Sequence, residues 1–443
     1  MFYLAIRRLI TTPPSSYFKL LFPTPSSTSR YLPSTHKLAQ LSQSRSILFF
    51  AKTATMSAPI IHLRAETKWL EHRSALTPST TRALIKAGYD IHVEKNPQQK
   101  EYQRFFRDEE FEEAGAKLVE TGSWKDVPTA SSPDGGRYFV LGLKEIEEGT
   151  SPLGHTYIHF QHCYKQQGGW AEALSRYPRG NGTLLDLEFL ADDSGRRVAA
   201  FGFHAGFAGA ALAISNWAWQ LTHPGEPYPS VESYPNEDAL IADVKKALAE
   251  GVAKAGYTPR VMVIGALGRC GRGAVAMAEK AGIADILKWD IQETTAPERK
   301  GKTFPEIVES DIFVNCIYLN QPVGHFVNHE SLKAPGRKLS VVCDVSADTT
   351  NPHNPIPIYT VATTFDKPTV PVEGYDNPPL SVISIDHLPS LLPREASEAF
   401  SNDLLPTLLE LKNWRSNPVW VRATKLFEEK VATLPAESLE NKA

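Results

Sequence analysis

The sequence predicts an α/β protein of two doubly wound domains, each a mostly parallel sheet with helices on both faces. Three observations carry this expectation. Short runs of apolar β-formers alternate with helical or loop segments from residue 60 to residue 386, the pattern of parallel sheets crossed by helices. The chain has 443 residues, too many for one core of ordinary size. Residues 261–290 read as strand, glycine-rich turn, Ala-rich helix and second strand, stopping at Asp290, the length of a βαβ unit.

In chain order, residues 1–55 stand apart, with seven Lys and Arg, no Asp or Glu, and many Ser, Thr and Pro. That composition suits either a mitochondrial or chloroplast transit peptide or a disordered extension ahead of a start at Met56. The expected location is the cytoplasm, or the mitochondrion if this segment is targeting. Structure begins near Ile60 with the strand IIHLR. Thr77 reads as a helix N-cap and Pro78 as a first-turn residue whose missing N–H does no harm; Gly88 ends that helix. Strands follow at YDIHVEK, RYFVLGL (137–143), YIHF (157–160) and LLDLEFL (184–190). The apolar stretch from Val198 to Trp219 contains His204 and Asn216 and reads as a buried helix at a domain interface, not a membrane span. After the unit at 261–290, strands are expected at DIFVNCI (311–317), LSVVCDV (339–345) and LSVISID (380–386). Helices follow from Arg394 to about Lys412 and from Pro418 to about Val431. The expected division is 56–200 plus 391–443 as one α/β domain and 201–390 as a second, nucleotide-carrying one. The active site should lie in the cleft between them, at the strand C-terminal edges.

Composition narrows the function. The net charge of −3 and the lack of a basic stripe argue against nucleic acid. Four Cys make neither a disulfide framework nor a CxxC zinc site, and no spacing supports a metal. No heptad stripe stands out, so a monomer is expected.

Gly265, Gly268 and Gly271 allow a tight turn and close approach of a pyrophosphate to the helix start, although their spacing is G-x-x-G-x-x-G rather than G-x-G-x-x-G. Asp290 stands where a carboxylate meets a ribose diol, favouring NAD over NADP. Lys144 ends one strand and His162 follows the next. On parallel neighbours both emerge on one sheet edge and could serve as base and acid of a dehydrogenase acting on an amine or alcohol; a solvated Lys and a packed His are the plainer alternative. The segment RAETKWLEHR (64–73) offers Arg and Lys for substrate carboxylates, but by residue type alone it reads as a solvated charged loop. Asp344, Asp348 and His353 fit no metal pattern, and their loop reads as a Pro-rich cover over the cleft. Asp386-His387 could touch the nicotinamide ribose. Cys270 and Cys316 could lie close on neighbouring strands and form a disulfide under oxidation, with two free thiols as the default.

The segments LRAETK, GLKE, HCYK, GRRVAAFGF, AGFAGAAL, IGALGRCG, KWDI, DVSADTTNPHNPIP and SIDHLPSLLPREAS together resemble the fungal NAD-dependent, lysine-forming saccharopine dehydrogenases, over about residues 60–430. More distantly the layout is similar to alanine dehydrogenase and transhydrogenase. The resemblance implies two Rossmann-like domains around an active-site cleft and conversion of saccharopine, NAD and water to lysine, 2-oxoglutarate and NADH. It implies Lys144 as base and His162 as acid–base group. Substrate contacts would be Lys68, Arg73, Lys144, Gln167, Phe201, Ser346, Ala347 and Asp348, with Arg197 a further cation for the three carboxylates. Cofactor contacts would be Arg196, Gly268, Arg269, Asp290, Thr294, Tyr318, Val345, Ile385, Asp386, His387 and Leu388. An amino-acid dehydrogenase with a smaller substrate and a silent NADH sensor share this layout as rival readings.

Overall fold

The computed structural model describes residues 58–127, 137–319, 321, 323–347 and 351–440. The chain divides into Met1–Thr55 and a compact unit, Met56–Ala443. The first segment lies outside the described residues, so the expectations for the extension fall outside them too.

The compact unit opens with β1 (Ile60–Leu63), α1 (Pro78–Lys86), β2 (Asp90–Glu94), α2 (Asp108–Glu113), β3 (Lys117–Val119), β4 (Tyr138–Leu141), β5 (Thr156–His159), α3 (Trp170–Arg179) and β6 (Thr183–Asp186). Its six strands lie in the order β3-β2-β1-β4-β5-β6, all parallel. The runs are short and apolar because both faces are covered: Ile61, His62 and Leu63 are all buried. Thr77 and Thr80 form a capping box ahead of α1, with Pro78 in its first turn. The three-residue edge strand β3 was not expected. Lys117 is exposed and its neighbours are half-buried, so no alternation marks it.

The second sheet follows α4 (Gly202–Thr222) and α5 (Glu237–Ala255). It is built from β7 (Val261–Ile264), α6 (Arg269–Ala281), β8 (Ile286–Trp289), α7 (Ile291–Thr294), α8 (Pro305–Glu309), β9 (Ile312–Asn315), β10 (Val341–Asp344), β11 (Val370–Asp376) and β12 (Pro379–Ile383). Its order is β11-β12-β10-β9-β7-β8, parallel except for β11, which runs antiparallel to β12 with an irregular register. β11 was also not expected: Pro371 and Gly374 interrupt it and most of it is solvent-facing.

The apolar stretch expected as a buried helix is α4, whose middle is enclosed by α5, α6 and the second sheet. Its small residues serve close helix packing: a Cβ on Gly206 would lie 1.8 Å from the Cys270 carbonyl oxygen. No described helix is long and apolar enough to cross a membrane. The chain closes with α9 (Pro393–Leu409) and α10 (Pro418–Val431). Phe400, Leu404, Leu408 and Trp420 from these helices join Ile61, Phe139 and Ile158 in the core of the first sheet.

Candidate active site

β4 and β5 are parallel neighbours, so the loops after them leave one sheet edge together. Lys144 lies three residues past β4 rather than at its end, and its side chain is almost fully buried. Its Nζ is 3.6 Å from Asp386 Oδ2, on the loop after β12 of the other sheet. Lys68 Nζ donates to the same oxygen, and His387 Nδ1 lies 2.6 Å from Asp386 Oδ1. Burial alone would raise the Asp386 carboxyl, but His387, Lys144 and Lys68 outweigh it and hold it far below the usual carboxylate range. Four residues named from sequence thus meet at one point.

The loop 64–73 is not the solvated charged loop that its residue types suggest. Arg64, Glu66, Glu71 and Arg73 are all buried. A buried charge is retained only if paired, and these are. Arg73 donates to Glu71 through Nε at 2.7 Å and Nη2 at 2.5 Å. Burial pushes the Glu71 carboxyl up, yet the charge and hydrogen bonds of Arg73, with Lys144 and His387 beyond, bring it down to about 2. The Arg73 guanidinium sits 4.2 Å from the centre of the Phe201 ring, itself stacked on Phe400 at 4.2 Å. Glu66 accepts from the Leu143 and Lys144 N–H groups at 2.6 and 2.9 Å.

His162 adopts a left-handed backbone, φ 53°, rare for a residue with a side chain. Its Nδ1 is hydrogen-bonded to Glu145. Burial would lower the His162 pKa, but the Glu145 bond and charge outweigh it and hold it above the usual value. Glu145 is pulled down to about 2 against its burial by the same partner and Lys144. His162 and Gln167 border a cavity of about 540 Å³, with Glu145, Trp170, Arg176 and Arg179 also in its wall. His159, inside the strand, is different: burial and then Arg64 lower it to about 3. Its ring is therefore neutral. It donates through Nδ1 to the Lys144 carbonyl at 3.1 Å, and its Nε2 lies 3.0 Å from the hydroxyl of Tyr177, which donates to Gln161 Oε1.

On the second sheet, Gly268 caps α6 and β8 delivers Asp290 beside the turn. A Cβ on Gly271 would lie 2.0 Å from the Gly265 carbonyl oxygen, so the turn cannot carry a side chain there. Asp290 accepts the Leu267 N–H on Oδ2 and the Ile291 N–H on Oδ1, both at 2.9 Å, and Thr294 donates its hydroxyl to the Asp290 carbonyl. The carboxylate therefore also ties the turn to α7. A turn with glycine at 265, 268 and 271 at the start of a 13-residue helix, with a carboxylate at the next strand end, fits a dinucleotide. Arg269 Nη2 donates to the Arg197 carbonyl at 2.8 Å, which joins the turn to the hairpin bearing Arg196. Lys165, from the loop after β5, stands 4.9 Å from the Tyr318 ring centre. Val345 donates its N–H to Asn315 and Ser346 to Asp344; Ala347 is partly buried. Asp348 lies outside the described residues. Ile385 and Leu388 are core residues, each 1 % exposed.

Sequence reading missed Glu66, Glu71 and Glu145. The signal was adjacency: Glu145 follows Lys144, and Glu71 stands two residues before Arg73. The disulfide considered for Cys270 and Cys316 finds no support. Both are free thiols, and burial raises both thiol pKa values, so the thiolate that would attack is scarce. Among the described residues no cluster of His, Cys, Asp and Glu could hold a metal.

The family model described as "Alanine dehydrogenase/PNT, N-terminal domain" matches residues 62–208. In a structural comparison an L-alanine dehydrogenase superposes with a TM-score of 0.56 at 16% identity, covering 84% of this chain and 94% of that one, which is a likeness of fold. A saccharopine dehydrogenase [NAD(+), L-lysine-forming] of Neurospora crassa is 65% identical over 388 residues, 87% of this chain and 100% of that protein. The protein of the same name from Emericella nidulans is 59% identical, covering 86% of this chain and 99% of the relative. With identity of this degree running the whole length of both relatives, the chain belongs to the NAD-dependent, L-lysine-forming saccharopine dehydrogenase family.

Proposed function

We propose that this chain is an NAD-dependent oxidoreductase acting on a CH–NH donor. It converts saccharopine and water, with NAD, to L-lysine, 2-oxoglutarate and NADH, the last step of the aminoadipate route to lysine. The observation that carries the reading is the meeting of Lys144 with Asp386 and His387, beside a His162–Glu145 pair, in a chain 65% identical to a relative of that name.

The residues suited to hold the dinucleotide are the turn at Gly268, Arg269, Asp290 and Thr294, together with Arg196, Tyr318, Val345 and the run Ile385, Asp386, His387 and Leu388. Bound there, NAD would supply the acceptor for the hydride leaving the glutamyl α-carbon. Lys144 takes the proton of the substrate's secondary amine. His162, whose proton Glu145 holds more firmly than water would, moves protons as water adds to the imine carbon and as the carbinolamine collapses. Lys68, Arg73 and Arg197 receive the carboxylates; Arg73 has committed Nε and Nη2 to Glu71, leaving Nη1 for the substrate. Gln167, Phe201, Ser346, Ala347 and Asp348 complete the substrate side. On this reading residues 56–200 plus 391–443 form the substrate domain and 201–390 the NAD domain, and the protein works as a cytoplasmic monomer. Sedimentation of the purified chain and imaging of a C-terminal fluorescent fusion check the last two points.

The test is a spectrophotometric assay of the purified protein with saccharopine and NAD. A rise in NADH absorbance that needs saccharopine, is absent with alanine and is much weaker with NADP is the expected result. No rise from folded protein that binds NADH overturns the assignment.

A further inference from the structure

The geometry points to Glu66 and Arg64 as positioning residues that fix the peptide of Lys144, and through it the direction of the Lys144 amine. This rests on the functional reading above. The ladder between β4 and β5 continues past the strands as far as the Leu143 carbonyl, which accepts the Phe160 N–H at 2.9 Å. There it stops. The Lys144 N–H goes instead to the Glu66 carboxylate at 2.9 Å, beside the Leu143 N–H at 2.6 Å. The Lys144 carbonyl accepts from the Arg64 guanidinium and from His159 Nδ1. Arg64 Nη2 stands 3.4 Å from Glu66 Oε2, so the two clamps share one buried ion pair.

The arrangement is costly in isolation, because a buried carboxylate and guanidinium must lose water. A continued ladder or a hydroxyl would satisfy the same peptide groups without that cost. What the pair adds is rigidity: both peptide groups of Lys144 are held by charge-assisted bonds from one preceding strand end. The backbone is shaped to admit it, since a Cβ on Gly142 would lie 2.4 Å from Arg64 Nε. With its peptide fixed, Lys144 projects to Asp386 across the cleft, at the site of proton transfer, where small displacements of a base lower the rate steeply.

The test is a double-mutant cycle on the full chain: Glu66→Gln in the wild type and in Lys144→Met, with saccharopine turnover and NADH binding measured for each. Gln keeps one acceptor oxygen but turns an amide N–H₂ toward the second N–H donor. The expected result is a loss of kcat of about tenfold or more when Lys144 is present and of less than about twofold when it is absent, with NADH affinity within about twofold throughout. The solvent deuterium isotope effect on kcat rises in Glu66→Gln, because removal of the amine proton has become slower. Equal losses in both backgrounds, with an unchanged isotope effect, overturn the proposal and leave Glu66 merely structural. If Glu66→Gln does not fold, Arg64→Lys and Gly142→Ala in the same two backgrounds give the same readout from the other clamp. A wild type that does not turn over saccharopine sinks the functional reading; an active wild type with additive losses sinks only the positioning role.

Discussion

Lys144 and His162 sit on adjacent loops, yet each depends on a different carboxylate: Asp386 faces the Lys144 amine from the other sheet, and Glu145 grips the His162 ring. Replacement of either base should slow chemistry far more than it weakens cofactor binding. Lys144→Met and His162→Gln are expected to lower kcat by about 10²–10⁴-fold, with NADH affinity, read by fluorescence titration, within about twofold. Glu71 gives a prediction about stability. Its folded-state pKa, about 2, lies below the ordinary 4.5 because Arg73 overcomes the effect of burial. The stability it contributes is present in full above pH 4.5 and is lost as pH falls from there toward 2. By linkage it amounts to roughly 3 kcal/mol. Urea midpoints measured from pH 6 to pH 3 should fall for the wild type, and less steeply, by nearly one proton, for Glu71→Gln. Equal slopes would remove Glu71 from the acid response.

Helix α4 illustrates what an element can and cannot announce. Its run of Ala and Gly is apolar enough to raise the question of a membrane, but the reason for the small residues is the α6 backbone, against which Gly206 leaves no room for a Cβ. Gly206→Val should force the two helices apart at the start of the nucleotide turn. A loss of about 1–3 kcal/mol or more is expected from overpacking, together with weaker NADH binding, since α6 begins at Arg269. An unchanged melting temperature would mean that the helices separate freely there.

Across the whole molecule, Lys68 and Lys144 from the first sheet converge on Asp386 from the second. Lys68 and Asp386 are 34% and 49% exposed, and pairs so wet contribute about 0–1 kcal/mol. The bridge thus serves alignment of the cleft more than cohesion. Lys68→Ala should move the unfolding free energy by less than about 1 kcal/mol while raising the KM for saccharopine several-fold. A large stability loss with unchanged KM would reverse that assignment.

Sequence by itself determined the strand–helix alternation, the cap at Thr77, the glycine turn with Asp290, the buried α4 and the placement of Lys144 and His162 after neighbouring strands. Each of these follows from local rules: periodicity, turn chemistry and the direction in which parallel strands deliver their loops. It did not reveal β3 or β11, whose edge positions carry no apolar alternation. Nor did it show that Arg64, Glu66, Glu71 and Arg73 are buried. Only the tertiary structure decided that, because the loop 64–73 reads as solvated until the strand end at Gly142, the rings of Phe201 and Phe400 and the loop of Asp386 close over it. Residue types state which charges exist. Which of them lose water, and which partner each then needs, is decided by packing between segments distant in the chain, such as buried Arg64 with the Lys144 carbonyl 80 residues on.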